Sequence, residues 1–191
     1  AGFILTCMGD DREYSYLPSR KGNTLADRVA KNVLNQTVKN YIEYSFLVDR
    51  GSDERQYCSP KIDLPVCSVM RSKYGTYPEY HTSLDNLDFI SPEGLNKSYE
   101  LLKKMIKIIE VNYVYESVYP CEPQLINYEL NRSLTKKKLN PESKLIADIL
   151  AYSDGNTDLI EKSDFFQEDA LLIHDIESKL VELGLIRLKY Y

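Results

Sequence analysis

Tyr77-Pro-Glu-Tyr-His-Thr-Ser-Leu-Asp-Asn-Leu-Asp88 is the stretch on which the reading of fold and chemistry turns. It carries His81, one of two histidines in the 191 residues, between Tyr80 and a run of polar, turn-forming side chains. Neutral imidazole is the commonest side-chain metal ligand, and Asp85 or Asp88 could orient the ring through its other nitrogen. The plainer alternative is a loop histidine that caps a neighbouring backbone group, since a lone histidine is a weak metal signal. Tyr80 adds a neutral donor suited to a developing oxyanion.

Upstream of this loop, residues 2–8 form a continuous apolar run that reads as a buried strand, broken by Gly9-Asp-Asp-Arg12. Residues 23–36 predict a helix, capped by Asn23 or Thr24, with Leu25, Val29, Val33 and Leu34 on one face. Residues 44–48 read as a short strand and residues 64–70 as a third apolar one. Strand, helix, strand and strand in this order suit an α/β layer around a central sheet. Downstream, Ser91, Pro92 and Glu93 open a helix that runs to about Glu110. Its period places Leu95, Tyr99, Leu102, Met105, Ile106 and Ile109 on the core face, and Lys103, Lys104 and Lys107 in solvent.

Residues 113–119 alternate like a strand, Pro120 and Pro123 interrupt, and residues 134–140 read as a polar linker. The boundary this implies separates domain 1–133 from domain 134–191. The second part predicts three helices, at 141–152, 157–162 and 167–183, with a Ser153-Asp-Gly155 turn after the first. Gly184 ends the last helix, and residues 185–191 supply a wing strand.

A hydrophobic content of 43% supports a packed core, yet no window approaches the eighteen or more apolar residues of a membrane span. The apolar start has no basic segment and no cleavage site, and a chain opening inside a strand without methionine reads as part of something longer. Cys7, Cys58, Cys67 and Cys121 form no CxxC pair, so reduced thiols and a cytoplasmic setting are expected. The net charge of −5 is uneven: residues 1–140 carry +1 and residues 141–191 carry −6.

Tyr80-His81-Thr82 with Asp85, reached after a strand and followed by the Pro92-Glu-Gly94 helix start, resembles the C-terminal metal-ligand segment of the co-catalytic zinc aminopeptidases. Asp49-Arg-Gly-Ser-Asp-Glu-Arg-Gln-Tyr-Cys-Ser-Pro60, Leu64-Pro-Val66 and Met70-Arg-Ser-Lys-Tyr-Gly75 are similar to an aminopeptidase-like branch associated with bacterial polysaccharide biosynthesis. That branch ends in a winged-helix-like module, which matches the acidic tail. The resemblance implies a partial aminopeptidase-like mixed sheet with flanking helices, plus a small C-terminal winged-helix-like domain.

Carried over by position, the resemblance makes His81 a zinc ligand and Tyr80 the group that stabilises the tetrahedral intermediate. A second ligand belongs near the end of the first strand, where Asp10 matches and Cys7 competes as a thiolate. Secreted relatives carry Ser-Asp-His where this chain has Ser52-Asp-Glu-Arg55. Arg55 then stands ready for a substrate carboxylate or phosphate, or else for a salt bridge to Asp49 or Asp53. The family's upstream His-x-Asp pair, bridging aspartate and Glu-Glu pair have no counterpart, and the other histidine, His174, has no ligand spacing.

The function these residues imply is zinc-dependent hydrolysis of a peptide or amide bond, with two zinc ions in the parent protein. Residues 1–191 by themselves are expected to be inactive. The substrate would be a peptide N-terminus or a small amide-bearing molecule, with no role for a membrane. The alternative is a non-catalytic scaffold in a surface-polysaccharide pathway. A DNA reader is disfavoured, because residues 167–177 are nearly free of cations and phosphate contacts need Lys and Arg. The acidic module suits a protein partner or self-association instead.

Overall fold

A four-stranded mixed sheet organises the first part of the chain. The computed structural model describes residues 1–128, 130 and 141–189, which divide into two units, Ala1–Ile109 and Glu110–Tyr191. In the first unit the strands are β1 (Gly2–Leu5), β2 (Tyr14–Leu17), β3 (Tyr41–Glu43) and β4 (Val66–Met70), in the order β1-β4-β2-β3. β4 runs parallel to β1 and antiparallel to β2, while β2 and β3 are parallel. β4 is central and buried at all five positions, which is why Val-Cys-Ser-Val-Met reads as an apolar run instead of alternating.

The sheet is closed by α1 (Leu25–Thr37), whose Ala26, Val29, Ala30, Val33 and Leu34 are fully buried. Its start is organised by Asp27, a buried carboxylate that accepts hydrogen bonds from Thr24 N (2.8 Å), Thr24 Oγ1 (2.7 Å), Ser19 N (2.8 Å), Ser19 Oγ (2.5 Å) and Tyr16 Oη (2.7 Å). Burial alone would raise this carboxyl, but the donors outweigh it and hold it below its ordinary value. One charged side chain thereby ties β2 to the helix that follows it.

Three expectations for this unit need correction. β2 lies where the sequence shows only Tyr-Ser-Tyr-Leu, too short and too polar at Ser15 to announce a strand. Residues 44–48 are not a strand: β3 ends at Glu43, and α2 (Phe46–Asp49) is one helical turn, closed by Ser45 N donating to the Asp49 carboxylate at 2.9 Å. A second single turn, α3 (Glu54–Tyr57), precedes β4.

The third correction concerns α4 (Pro92–Glu110), which spans the expected residues but presents a rotated face. Gly94, Ser98, Leu101, Met105 and Ile108 are buried, whereas Leu95, Tyr99 and Ile106 are 48%, 59% and 51% exposed. The cause is close backbone packing. A Cβ on Gly94 would lie 2.5 Å from Gly9 O and 2.7 Å from Asp10 O, and Ser98 Oγ donates to Met8 O at 2.8 Å. Small residues, not large apolar ones, let the helix sit against the loop after β1.

The second unit contains β5 (Val114–Ser117), α5 (Pro141–Ala151), β6 (Asp154–Asp158), α6 (Leu159–Phe166), α7 (Ala170–Glu182) and β7 (Ile186–Leu188). Its sheet has the order β6-β5-β7, antiparallel throughout. The linker 134–140 and the boundary at 133/134 lie outside the described residues. β5, which the sequence reading assigns to the first domain, pairs Val114 with Asp158 and Tyr115 with Leu188, so its strand partners belong to the second unit. The Ser153–Gly155 turn becomes the start of β6, with Gly155 at φ 78°. Gly184 takes φ 68° after α7, the left-handed geometry that suits glycine at a helix end.

The core of this unit holds an ion pair with neither side chain exposed: Lys162 Nζ donates to Glu177 Oε1 at 2.7 Å. Burial pushes the Glu177 carboxyl up despite the lysine, and its Oε2 has no hydrogen-bond partner. Among the described residues no helix is long and apolar enough to cross a membrane.

Candidate active site

The loop that carries His81 is held by aromatic stacking and by one arginine. Tyr77 stacks on Phe89 (centroids 5.2 Å apart) and meets Tyr80 edge-on (5.6 Å), while Tyr80 stacks on His81 at 3.9 Å with ring planes 15° apart. Arg12 lies over Phe89 (4.9 Å to the centroid) and Tyr77 (5.9 Å) and pairs with Glu79 at 3.1 Å. His81 adopts φ 58°, a left-handed conformation uncommon outside glycine. Among the described residues no carboxylate hydrogen-bonds its ring: Asp85 and Asp88 use their backbone amides in turns with Thr82 and Asn86.

This loop walls a cavity of about 410 Å³ at the end of β1, also lined by Cys7 and Asp10. Cys7 is a second left-handed residue, φ 50°, and its Sγ accepts from Tyr77 Oη at 3.3 Å. Burial, then the bond to Cys7, raises the Tyr77 phenol above its ordinary value. Asp10 is buried and its oxygens are engaged: Oδ1 accepts from Arg12 N (2.9 Å) and Ser72 Oγ (3.2 Å), Oδ2 from Ser72 N (3.1 Å). Beneath the loop, Arg71 lies over Tyr14 (3.9 Å), donates to Arg12 O (2.7 Å) and reaches Ser98 Oγ (3.4 Å).

Tyr80, His81, Asp10 and Cys7 therefore share one cavity. Arg55 does not join them. It projects from α3 into a separate cavity with Arg20, Lys21 and Arg50, and makes no ion pair with Asp49 or Asp53. Its neighbour Glu54 turns inward, accepting from Gly51 N (2.7 Å), Ser52 N (2.9 Å), Tyr74 Oη (2.8 Å) and Ser68 Oγ (3.2 Å). Glu54 is thus a buried structural group that ties α3 to β4 and to Tyr74.

The sequence reading missed the clamp of Arg12 and the buried anchor Arg71. Each lies far along the chain from the residues it holds. Tyr77 carried a clue, standing three residues before Tyr80, a spacing that brings rings together in a tight turn.

The donor set can be tested against zinc. Among the described residues no group of three or more His, Cys, Asp or Glu is arranged to hold a metal ion. Structural zinc takes four ligands and catalytic zinc at least three from the protein. The side chains described here do not by themselves fit a resident zinc.

The mixed sheet of the first unit, with the second unit that follows it, is a fold shared with a solved structure described as a "putative peptidase". Residues 1–112 match the family described as "Domain of unknown function (DUF4910)", and the chain belongs to that family. Residues 113–188 match a winged helix-turn-helix family.

The chain is 42% identical over 125 residues to a Clostridium acetobutylicum protein named "Putative polysaccharide biosynthesis protein with aminopeptidase-like domain", covering 65% of this chain and 28% of that protein. It also resembles a solved structure described as a "putative peptidase" from Clostridium acetobutylicum. The TM-score is 0.85 at 32% identity, over 98% of this chain and 42% of that one. The chain thus spans less than half the length of either relative.

Proposed function

We propose that the chain forms part of a zinc-dependent, aminopeptidase-like hydrolase of amide bonds, with His81 as a metal ligand and Tyr80 as the donor to the oxyanion of the tetrahedral intermediate. The observation that carries this reading is the stacked Tyr80–His81 pair in the wall of the cavity at the end of β1, beside Cys7 and Asp10. The fold shared with a protein described as a "putative peptidase" supports it. In this reading two zinc ions are completed by donors outside residues 1–191, and no step of the reaction is assigned to the chain in isolation.

What this chain supplies is positioning. Stacking on Tyr80 fixes the plane of the His81 ring, and the left-handed backbone at His81 sets the direction in which it leaves the loop. A tyrosine hydroxyl is a hydrogen-bond donor of the kind that stabilises developing negative charge on a carbonyl oxygen. The substrate class is a peptide N-terminus or an amide borne on a small molecule such as a sugar.

The absence of a three-donor group among the described residues favours a second reading, a scaffold in a surface-polysaccharide pathway with a protein partner at the acidic module. Metal analysis of the parent protein separates the two. About two zinc ions per chain, chelator-sensitive amide hydrolysis, and loss of both with His81→Ala support the hydrolase. A metal-free parent protein whose function survives His81→Ala rejects it in favour of the scaffold. Chelator-sensitive hydrolysis by residues 1–191 alone would contradict a site completed from outside.

A further inference from the structure

The cavity that holds Arg55 has about 490 Å³ of space and shares no lining residue with the Tyr80–His81 cavity. Four cations line it: Arg20, Lys21, Arg50 and Arg55. No carboxylate is among its lining residues, in a chain whose net charge is −5. Cations gathered without matching anions repel one another, so such a cluster calls for a ligand or a structural counter-charge.

The counter-charge is only partial. Arg20 makes a two-pronged pair with Asp63 (Nε to Oδ1 2.8 Å, Nη2 to Oδ2 2.7 Å), and Lys21 reaches the same carboxylate at 3.0 Å. Those two bonds, Arg20 first, hold the Asp63 carboxyl well below its usual range. One carboxylate therefore serves two cations. Arg50 and Arg55 make no ion pair among the described residues.

Arg50 is nevertheless fixed in place. Its Nη1 donates to Phe46 O and Leu47 O, and its guanidinium lies over the Phe46 ring at 5.5 Å. Its Nε and Nη2 remain available. A guanidinium held along one edge, with donors left over and a second guanidinium lining the same cavity, is a preorganised receptor for a multiply charged oxyanion. Phe46, Pro18 and Pro60 add an apolar wall beside the charges. A bare ion does not need that wall; an organic body does.

We propose that this cavity binds an organic phosphate monoester, with Arg50 and Arg55 on the phosphate and the apolar wall against its carbon skeleton. Phosphate is favoured over carboxylate because a monoester carries nearly two negative charges at neutral pH, matching the two unpaired guanidinium groups. The inference does not depend on the hydrolase reading, since it concerns binding at a different cavity.

Isothermal titration of the 191-residue protein with glucose 6-phosphate, inorganic phosphate, glucuronate and glucose tests it. Saturable binding of glucose 6-phosphate is expected, tighter than inorganic phosphate and glucuronate, with none for glucose. Arg55→Ala and Arg50→Ala should each weaken it about tenfold or more, while Arg187→Ala, an exposed arginine of the second unit, should leave it unchanged. Arg55→Lys keeps the charge but loses the fork, and should recover only part of the affinity. Thermal melts of the variants check that each remains folded. Absence of saturable binding, binding indifferent to Arg50 and Arg55, or a preference for glucuronate would each overturn the proposal.

Discussion

Tyr80 and His81 stack with ring centroids 3.9 Å apart, although they are neighbours in sequence whose side chains would normally diverge. The left-handed backbone at His81 (φ 58°) accompanies this arrangement. A non-glycine residue in that region carries a cost that the surrounding structure must offset, and such residues concentrate at functional sites. Within this loop His81 is exposed and Tyr77 is buried.

His81→Ala should therefore cost only about 1 kcal/mol of stability, the size of one aromatic contact. Tyr77→Ala, which removes the stack on Phe89, the edge contact to Tyr80 and the bond to Cys7, should cost about 3 kcal/mol or more. Urea unfolding of both variants checks the ratio. Equal costs would mean that His81 is a packing residue.

Gly94→Ala tests the approach of α4 to the loop after β1. Helix propensity alone would stabilise the variant by about 1 kcal/mol. The added Cβ meets two backbone oxygens, at 2.5 Å and 2.7 Å, which cannot rotate away. Overpacking against backbone should win, giving a net loss of about 2 kcal/mol. A raised melting temperature would refute the close packing.

The acid limb of stability should be set by Asp27 and Glu54 in the first unit. For each, burial raises the carboxyl, and hydrogen bonds outweigh it to give a lowered value. A carboxyl lowered in the folded state contributes stability that is fully present above its unfolded pKa, roughly 4, and lost as pH falls through the folded value. Unfolding followed from pH 6 down to pH 2 should show that loss below about pH 4. Asp27→Asn should flatten the curve and cost on the order of 3 kcal/mol at pH 7, since it leaves buried donors without a partner.

In the second unit, Lys162→Met and Glu177→Leu singly should each cost about 4 kcal/mol, because either leaves an unpaired charge in the core. The double variant should be close to the parent in stability, since two apolar side chains avoid the desolvation that the pair suffers. A double-mutant cycle in urea measures this. Additive losses would show that the pair is worth more than the packing that replaces it.

How much of this was legible in advance differs by element. Local signals sufficed for α4, where Ser91, Pro92 and Glu93 mark the start, and for α1, with Thr24 preceding Leu25. The burial face of α4 was not legible. Periodicity finds large apolar residues, while the contact is made by Gly94 and Ser98. β2 and the turn at residues 46–49 were hidden for a related reason: four residues carry too little pattern, and their conformation is set by strand partners far along the chain.

The same division holds at the candidate site. His81 and Tyr80 stood out by type and position, and the resemblance of the 52–60 and 80–88 segments pointed to an α/β sheet layer followed by a winged-helix module. Those are properties of residue type and short spacing, which a sequence states directly. Only the tertiary structure turned Glu54 inward and Arg55 outward, separated Arg55 from the His81 cavity, engaged the Asp10 oxygens with Arg12 and Ser72, and clamped the loop with Arg12. Each of these depends on distances between residues remote in sequence, and such distances are fixed by packing and hydrogen-bond satisfaction across the whole unit.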